Sequence, residues 1–348
     1  MVPFGISLSG PAYGQQRGKG CSPALWKVKG LQEGELLPTR AGDRQGDGRK
    51  EVKKGFPGWE GVLRAVEMNR KHFCISEGWA MFRVQMDGRY SEQLEARIAV
   101  TGSNLCVGLD PRIEKHGNEI GEVERFLEKV VEETVDKVAC YKPNSAYFEA
   151  MGPEGLAMLK RVIGRIPDDV PVILDAKRSD IGETQRRYAQ ACFEFFEADA
   201  VTINPFMGYD SLEPFLGYEG KGIYLLAVTS NPGSADLQRR ESGGRKIFEF
   251  VGEFAERALA EQRAVDVGLV VGLTNAAEEV LAGLPDSPLL IPGLGAQGGD
   301  LSSLAGSVRS APNVVNVSRG VLYGDEGTPG ARANHYAMEI SRAFRGAC

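Results

Sequence analysis

From residue 88 onward, short apolar runs alternate with amphipathic stretches of helical length, and this alternation most constrains the fold. Eight runs have the length and residue types of buried strands, namely NLCVGLD (104–110), VACYKP (138–143), PVILDAK (171–177), DAVTIN (199–204), GIYLLAV (222–228), VGLVVG (267–272), PLLIPG (288–293) and NVVNVS (313–318). Near-continuous apolar strands that alternate with helices indicate a parallel sheet covered by helices. Eight such units in about 260 residues predict a (β/α)8 TIM barrel, with a doubly wound sheet as the alternative.

Polar residues follow the ends of these predicted strands. Active sites of (β/α)8 barrels are built at the C-terminal ends of the strands, because the loops that follow the strands meet at that face. The sequence therefore predicts one site at that face, formed from Asp110, Lys142, Asp175 with Lys177, Asn204, Ser230, Gln297 and Arg319.

The stretch VILDAKRSDIGET (172–184) ends a predicted core strand in a group of charges. Asp175 and Lys177 are two positions apart, so on a strand their side chains share a face and lie close enough to pair. This pair is either a structural ion pair at the barrel mouth or part of the chemistry. Asp180 and Glu183 have the spacing of a helix capping box with Asp180 as the N-cap, and capping and catalysis can coexist at Asp180.

A glycine-rich segment, PGLGAQGGD (292–300), follows the seventh predicted strand. Its G-x-G-x-x-G spacing is a weak dinucleotide signal, because that turn belongs after a first strand and needs an acidic residue further on. Loops after strands seven and eight of barrels commonly bind phosphate instead. Arg319, in NVSRGVLY after strand eight, supplies a guanidinium fork that suits phosphate. The two segments predict a phosphate site, and ordinary turns with a surface arginine are the alternative.

Taken together, these motifs resemble the orotidine 5'-phosphate decarboxylase family, in its longer-chain bacterial branch. The segments that carry the resemblance occur in family order over residues 88–345, and they are LCVGLDP, YKPNSAYFEA, VILDAKRSDIGET, ADAVTINPFMGYDSLEPFL, TSNPGSADLQ, PGLGAQGGD and NVSRGVLY. Ser179 stands where glycine is expected in the family motif. We expect that difference to affect local backbone freedom more than chemistry.

The resemblance implies conversion of orotidine 5'-monophosphate to uridine 5'-monophosphate and carbon dioxide, the last step of de novo pyrimidine nucleotide synthesis, without a metal or organic cofactor. Lys177 then looks like the proton donor to C6 of the pyrimidine, and Asp175 like the carboxylate that faces the substrate's own carboxylate. Lys142 resembles the lysine that completes a Lys-Asp-Lys-Asp network. Asp180 and Thr184 resemble residues that reach into the partner subunit's site, which implies a homodimer with shared sites.

The resemblance also implies a set of substrate-binding residues. Asp110 resembles the acceptor for the ribose hydroxyls, and Ser230 resembles the contact to the pyrimidine amide. Pro292 would line the base pocket, Gln297 would bridge base and phosphate, and Arg319 would hold the phosphate.

Composition limits the other classes of function. The chain is 42% hydrophobic and 25% charged, as in ordinary globular proteins, and it has no run of about 20 apolar residues that would span a membrane. Six scattered cysteines without a CxxC pair favour reduced thiols over a disulfide framework, and the three histidines are far apart in sequence. We therefore expect a cytoplasmic protein that binds neither membrane nor nucleic acid.

Residues 1–80 are predicted to be a low-order, glycine-rich, basic extension before a barrel domain over residues 81–348. The first 60 residues contain 12 glycines and no sustained period, so they bury too little surface to offset ordering. Residues 1–72 carry 13 Lys and Arg against 7 Asp and Glu, a net charge of +6. Because the whole chain has a net charge of −6, residues 73–348 carry −12. The segment is either a targeting segment or sequence upstream of a start at Met81 or Met86.

Two other functions stay open at this stage. Sugar-phosphate decarboxylases or aldolases of the same barrel superfamily share D-x-K-x-x-D but use magnesium, and their additional acidic ligands are not evident here. A phosphate-ligand-binding barrel that has lost catalysis is the non-enzymatic alternative. The presence of Asp175, Lys177, Asp180 and Lys142 argues against that alternative.

Overall fold

The computed structural model describes residues 88–294, 301–304 and 309–345, together with the backbone of two three-residue strands near the N-terminus. These two strands, Ser7–Ser9 and Lys27–Lys29, pair antiparallel with each other. The chain divides into two units, residues 1–87 and residues 88–348. Apart from the two strands, the predicted low-order extension lies outside the described residues.

Eight strands in the second unit form a parallel barrel. They are β1 (Leu105–Leu109), β2 (Cys140–Pro143), β3 (Ile173–Arg178), β4 (Ala200–Ile203), β5 (Gly222–Val228), β6 (Asp266–Val271), β7 (Leu289–Pro292) and β8 (Asn313–Val317). Their spatial order is β2-β1-β8-β7-β6-β5-β4-β3. Parallel bridges from Tyr141 to Val172 and from Asn144 to Asp175 join the two edge strands and nearly close the sheet. The predicted (β/α)8 barrel is confirmed, and the doubly wound alternative is wrong.

Helices connect these strands and cover the outside of the barrel. Those within the described residues are α1 (Tyr90–Thr101), α2 (Ile120–Thr134), α3 (Ser145–Glu149), α4 (Gly152–Arg165), α5 (Gly182–Gln190), α6 (Glu213–Leu216), α7 (Ile247–Ala260), α8 (Glu278–Ala282), α9 (Arg319–Tyr323) and α10 (Pro329–Arg345). In α2 the buried residues Val123, Leu127, Val130 and Thr134 recur at spacings of three and four, which places them on one face toward the sheet. None of the helices described has the length and apolarity needed to cross a bilayer.

Helix α1 fills the end of the barrel opposite the strand C-termini. Its first residue, Tyr90, is 1% exposed and meets Tyr224 edge to face, with ring centroids 5.9 Å apart. Gly222, the first residue of β5, makes room for this ring, since a Cβ there would lie 2.5 Å from Tyr90 Cδ1. With this end filled by aromatic side chains, the C-terminal ends of the strands remain as the face for a site.

Candidate active site

Asp175 is the centre of a charged cluster at the ends of β2, β3 and β4. Its Oδ2 accepts a hydrogen bond from Lys142 Nζ at 2.8 Å, and its Oδ1 accepts one from Lys177 Nζ at 2.6 Å. The Thr202 hydroxyl also donates to Oδ1, at 2.9 Å. The predicted pairing of Asp175 with Lys177 is therefore present, and a buried lysine from the neighbouring strand joins it.

The members of this cluster differ in exposure. The side chains of Lys142 and Asp175 are 5% and 10% exposed, whereas that of Lys177 is 49% exposed. Burial by itself would raise the pKa of the Asp175 carboxyl, but Lys142 and Lys177 outweigh it and hold that pKa well below its usual range. Burial would likewise lower the pKa of Lys142, but Asp175 and then Asp110 raise it above the usual range. Lys142 and Asp175 are therefore both charged at neutral pH.

The backbone of β3 turns at Lys177. Lys177 has a φ of +45°, in the left-handed region, and the pairing of β3 with β4 shifts register between Leu174 and Arg178. A non-glycine residue in this region costs roughly 1–3 kcal/mol and persists only where its surroundings hold it. The Lys177 N–H donates to the Thr202 hydroxyl at 2.9 Å. The turn leaves the Lys177 ammonium toward solvent while it remains bonded to the buried carboxylate.

Asp110 directly follows β1, beside this cluster. Its Oδ1 is buried and has no hydrogen-bond partner within the described part of the chain. A buried carboxylate oxygen with no donor is costly, so it is suited to accept a hydrogen bond from a ligand hydroxyl.

Asp180 lies in the loop that follows β3 and Thr184 lies in α5, and within the described residues neither forms a hydrogen bond or ion pair with Lys177. The Asp180 Oδ1 accepts a hydrogen bond from the N–H of Ile181 at 2.8 Å, and Thr184 is exposed in the first turn of α5. The capping-box interpretation is wrong, because α5 begins at Gly182 with Ile181 as its N-cap and without a side-chain cap. Glu183 instead pairs with the two arginines that follow it, at positions 186 and 187.

Ser230 lies in the loop after β5, which two side chains hold in place. The Gln238 Oε1 accepts from the Thr229 N–H at 2.8 Å, and Asn275 Nδ2 donates to the Thr229 carbonyl at 2.8 Å. Gly272, just after β6, allows the close approach of this loop, since a Cβ there would lie 2.5 Å from the Ser230 nitrogen. The Ser230 backbone is thereby fixed against the next strand.

The remaining predicted site residues lie at the end of β7 and after β7, β8 and β4. Pro292 is the last residue of β7 and is partly buried, and Arg319 is exposed as the first residue of α9. Gln297 lies outside the described residues, as does the rest of the glycine-rich loop from 295 to 300. Asn204, after β4, accepts a hydrogen bond from the Phe206 N–H at 3.2 Å and caps the following turn.

Comparison with known protein families gives a match across the barrel. Residues 103–334 match the model described as the orotidine 5'-phosphate decarboxylase / HUMPS family. The chain belongs to this family. A curated relative from Roseiflexus sp. named orotidine 5'-phosphate decarboxylase is 46% identical over 254 residues, which cover 70% of this chain and 92% of the relative. One of the same name from Herpetosiphon aurantiacus is 38% identical over 262 residues, with 73% and 96% covered.

Solved structures of family members have the same barrel. A structure described as a putative orotidine-monophosphate decarboxylase from Toxoplasma gondii is 38% identical and superposes with a TM-score of 0.69, covering 74% of this chain and 97% of that one. The Leishmania donovani OMP decarboxylase is also 38% identical, with a TM-score of 0.66 and coverage of 74% and 99%. The family predicted from the motifs is confirmed, and with it the enzyme class, since orotidine 5'-phosphate decarboxylases are carboxy-lyases.

Three features of this orotidine 5'-phosphate decarboxylase family member were not foreseen in the sequence. Thr202 was not among the candidates, although a hydroxyl residue in the apolar run DAVTIN was a usable signal. Arg178 pairs with Glu149 at 3.2 Å and anchors the end of β3 outside the charged cluster. Ser179 does not have a positive φ, and the left-handed residue of this turn is Lys177. Serine in place of glycine therefore strains nothing at that position.

Proposed function

We propose that this chain decarboxylates orotidine 5'-monophosphate to uridine 5'-monophosphate. The observation that carries the proposal is the cluster of Lys142, Asp175 and Lys177, with both ammonium groups within 2.8 Å of one carboxylate at the barrel mouth. Membership of the family and the printed names of its members support the same reaction.

The role proposed for Lys177 follows from the charge that the reaction develops. Loss of carbon dioxide leaves a carbanion at C6, which the pyrimidine ring delocalises poorly. A fixed ammonium stabilises that charge as it forms and then protonates the carbon, which combines electrostatic preorganisation with general acid catalysis. The Lys177 side chain suits this role because it is half exposed toward the mouth while Asp175 holds its Nζ at 2.6 Å.

Asp175 serves as the carboxylate that faces the substrate's carboxylate, and it keeps the buried Lys142 charged. Lys142 and Lys177 contribute two positive charges and Asp175 one negative charge, so these three side chains carry a net charge of +1. The substrate carboxylate is proposed to lie against this cluster, and its departure as carbon dioxide leaves the carbanion beside Lys177. The alternating Lys-Asp-Lys-Asp network that we propose needs one further carboxylate, and Asp180 of a second subunit is assigned that place.

The remaining candidate residues are proposed to bind the nucleotide. The Asp110 carboxylate, with its unpartnered oxygen, accepts from the ribose hydroxyls, and Ser230 contacts the pyrimidine amide. Pro292 lines the base pocket, Gln297 bridges base and phosphate, and Arg319 holds the phosphate. The phosphate is remote from C6, so its binding energy serves to hold the pyrimidine against the charged cluster.

A homodimer with shared sites accounts for the positions of Asp180 and Thr184. Both follow β3 at the barrel mouth, yet the hydrogen bonds of the Lys177 ammonium within the described residues go to Asp175 alone. The same face exposes Ile181 by 58%, Phe206 by 72% and Met207 by 51%. Large apolar side chains exposed together are typical of an interface. A second copy on this face would cover them and bring Asp180 to the neighbouring Lys177.

The setting of the enzyme is also part of the proposal. Residues 81–348 form the catalytic domain, and residues 1–80 are an extension to it. The buried thiols Cys106, Cys140 and Cys192 are free, as suits a reducing cytoplasm. The reaction is proposed to need no metal or organic cofactor. A magnesium-dependent relative is the competing function that the assay below distinguishes.

The test is the fall in orotidylate absorbance with purified protein and excess chelator, repeated with Lys177→Ala. The unmodified protein should turn over with chelator present, and Lys177→Ala should lose at least about a thousandfold in kcat, since it removes both a charge and the proton donor. Lys177→Arg is the matched control, because it keeps the charge but is a far weaker acid. No turnover by the unmodified protein would refute the proposed function. Loss of turnover on addition of chelator would favour the magnesium-dependent alternative.

A further inference from the structure

Thr202 is a buried hydroxyl residue between two apolar neighbours on β4. It is 1% exposed, and Val201 and Ile203 on either side are fully buried. A hydroxyl in such a place is costly unless its hydrogen bonds are made. Both of its bonds lead to the charged cluster, one to Asp175 and one to Lys177.

The two hydrogen bonds fix the hydroxyl in one orientation. Its single proton goes to Asp175 Oδ1 at 2.9 Å, and its oxygen accepts the Lys177 N–H, also at 2.9 Å. The same Asp175 oxygen accepts from Lys177 Nζ at 2.6 Å. Thr202 is therefore bonded to the backbone at one end of the Lys177 side chain and to the carboxylate that holds the other end.

The backbone at Lys177 needs such support. Its φ of +45° is unfavourable for a residue with a side chain, and β3 loses regular pairing with β4 at this point. A regular strand φ of about −120° would rotate the Cα–Cβ bond of Lys177 about its N–Cα bond, and so redirect the side chain while the N–H stays on Thr202. By bonding both the Lys177 N–H and the Asp175 carboxylate, Thr202 favours the left-handed conformation over the regular one.

We propose that Thr202 is a positioning residue for the reaction, whose hydroxyl keeps the Lys177 backbone left-handed and the Asp175 carboxylate aligned with the Lys177 ammonium. This inference rests on the proposed function of Lys177 as proton donor. Thr202 does not need to touch the substrate, so its loss should misplace the proton donor while leaving the nucleotide contacts in the other loops unchanged.

The experiment compares Thr202→Val, which keeps the shape and loses the hydroxyl, with Thr202→Ser, which keeps the hydroxyl. Thr134→Val is the matched control, because Thr134 is also fully buried and its hydroxyl bonds Tyr141 and the Val130 carbonyl, away from the cluster. For each variant, kcat and KM for orotidylate are measured on protein shown to be folded by circular dichroism and thermal unfolding.

Thr202→Val should lose about ten- to hundredfold in kcat, because an unpaired buried hydrogen-bonding group destabilises the arrangement that holds Lys177 by an equilibrium factor of about that size. KM should change by less than about threefold, because the nucleotide-binding contacts stay in place. Thr202→Ser should recover most of the activity, and Thr134→Val should keep kcat whatever its effect on stability. Should Thr202→Val fail to fold, Thr202→Ala replaces it and is compared with Thr202→Ser.

A folded hydroxyl-free variant with kcat within about twofold of the unmodified protein would overturn the role of Thr202. So would a loss of the same size in Thr202→Ser, because serine keeps the bonding group. Either result leaves the proposed function intact, whereas absence of turnover by the unmodified protein counts against that function itself.

Discussion

The most informative perturbation of the charged cluster is Asp175→Asn, which removes one charge without changing side-chain volume. It leaves the Lys142 ammonium, 5% exposed, without the carboxylate that now lies 2.8 Å from it. Breaking a buried ion pair by removing one partner typically costs about 3–5 kcal/mol, because the remaining charge is uncompensated. Asp110 still acts on Lys142 and the asparagine oxygen still accepts, so we expect a loss of about 3 kcal/mol at neutral pH.

The pH dependence of this loss is a sharper test than its size. In the unmodified protein the pKa of Lys142 is raised by its carboxylates, so its stabilising contribution is complete at neutral pH and is lost only above its ordinary range. In Asp175→Asn, burial lowers the Lys142 pKa with less opposition and brings it below the unfolded value of about 10.4. The unfolded chain then binds more protons than the folded one, so the stability of the variant should rise with pH between about 7 and 10.

Urea unfolding at several pH values between neutral and about 9.5 measures this effect as the difference between variant and unmodified protein. Asp266→Asn is the control, because Asp266 is as buried as Asp175 but its partner Arg89 is 46% exposed. The loss of unfolding free energy in Asp266→Asn should not become smaller as the pH rises, because this substitution leaves no buried cation without a partner. A difference for Asp175→Asn that stays constant over this pH range would refute the reasoning that Lys142 is left as a buried charge.

Two further predictions concern assembly and the loop after β5. Mixing inactive Lys177→Ala with inactive Asp180→Ala under subunit exchange should restore about a quarter of full activity, since half of the dimers are mixed and each has one intact site. Unrestored activity in a demonstrated mixed dimer would exclude shared sites. Gly272→Ala places a Cβ 2.5 Å from the Ser230 nitrogen and should cost about 1–3 kcal/mol in unfolding free energy and raise KM. Gly164→Ala in α4, with open space at its Cβ, should do neither, and equal losses in both would contradict the close-approach argument.

The strands were predictable from sequence because each is a short apolar run. Six of the eight lie within the predicted segments, and β3 and β6 each extend one residue beyond theirs, to Arg178 and Asp266. Helix starts were less predictable, since Asp180 and Glu183 have capping-box spacing while α5 begins at Gly182 with Ile181 as its N-cap. Helix α1 was not predicted, because it precedes the first strand and is not part of a repeating strand–helix unit. Tyr90 is buried because it packs inside the end of the barrel. The pattern of apolar and polar residues shows periodicity along the chain, whereas the start of α5 and the burial of Tyr90 depend on contacts between distant segments.

The site shows the same division. Asp175 and Lys177 are two residues apart, so their pairing follows from strand geometry, and Lys142 lies at the end of the adjacent strand. The left-handed turn at Lys177 and its bond to Thr202 do not follow from spacing, because they arise where β3 loses register with β4. A strand rule predicts both side chains on one face. The structure pairs them while leaving one buried and the other half exposed.

This asymmetry explains how a core strand can end in charges. Asp175 and Lys142 are costly to bury singly, and each is the largest single influence that favours the charged form of the other. The Lys177 ammonium adds a bond to the same carboxylate at less desolvation cost, since its side chain stays 49% exposed. The buried pair therefore acts as a rigid support, and the half-exposed Lys177 is the member that can contact a ligand. A less buried pair would have a smaller desolvation cost but would hold Lys177 less firmly, so the burial that makes the pair costly to desolvate is the same burial that orients the proposed proton donor.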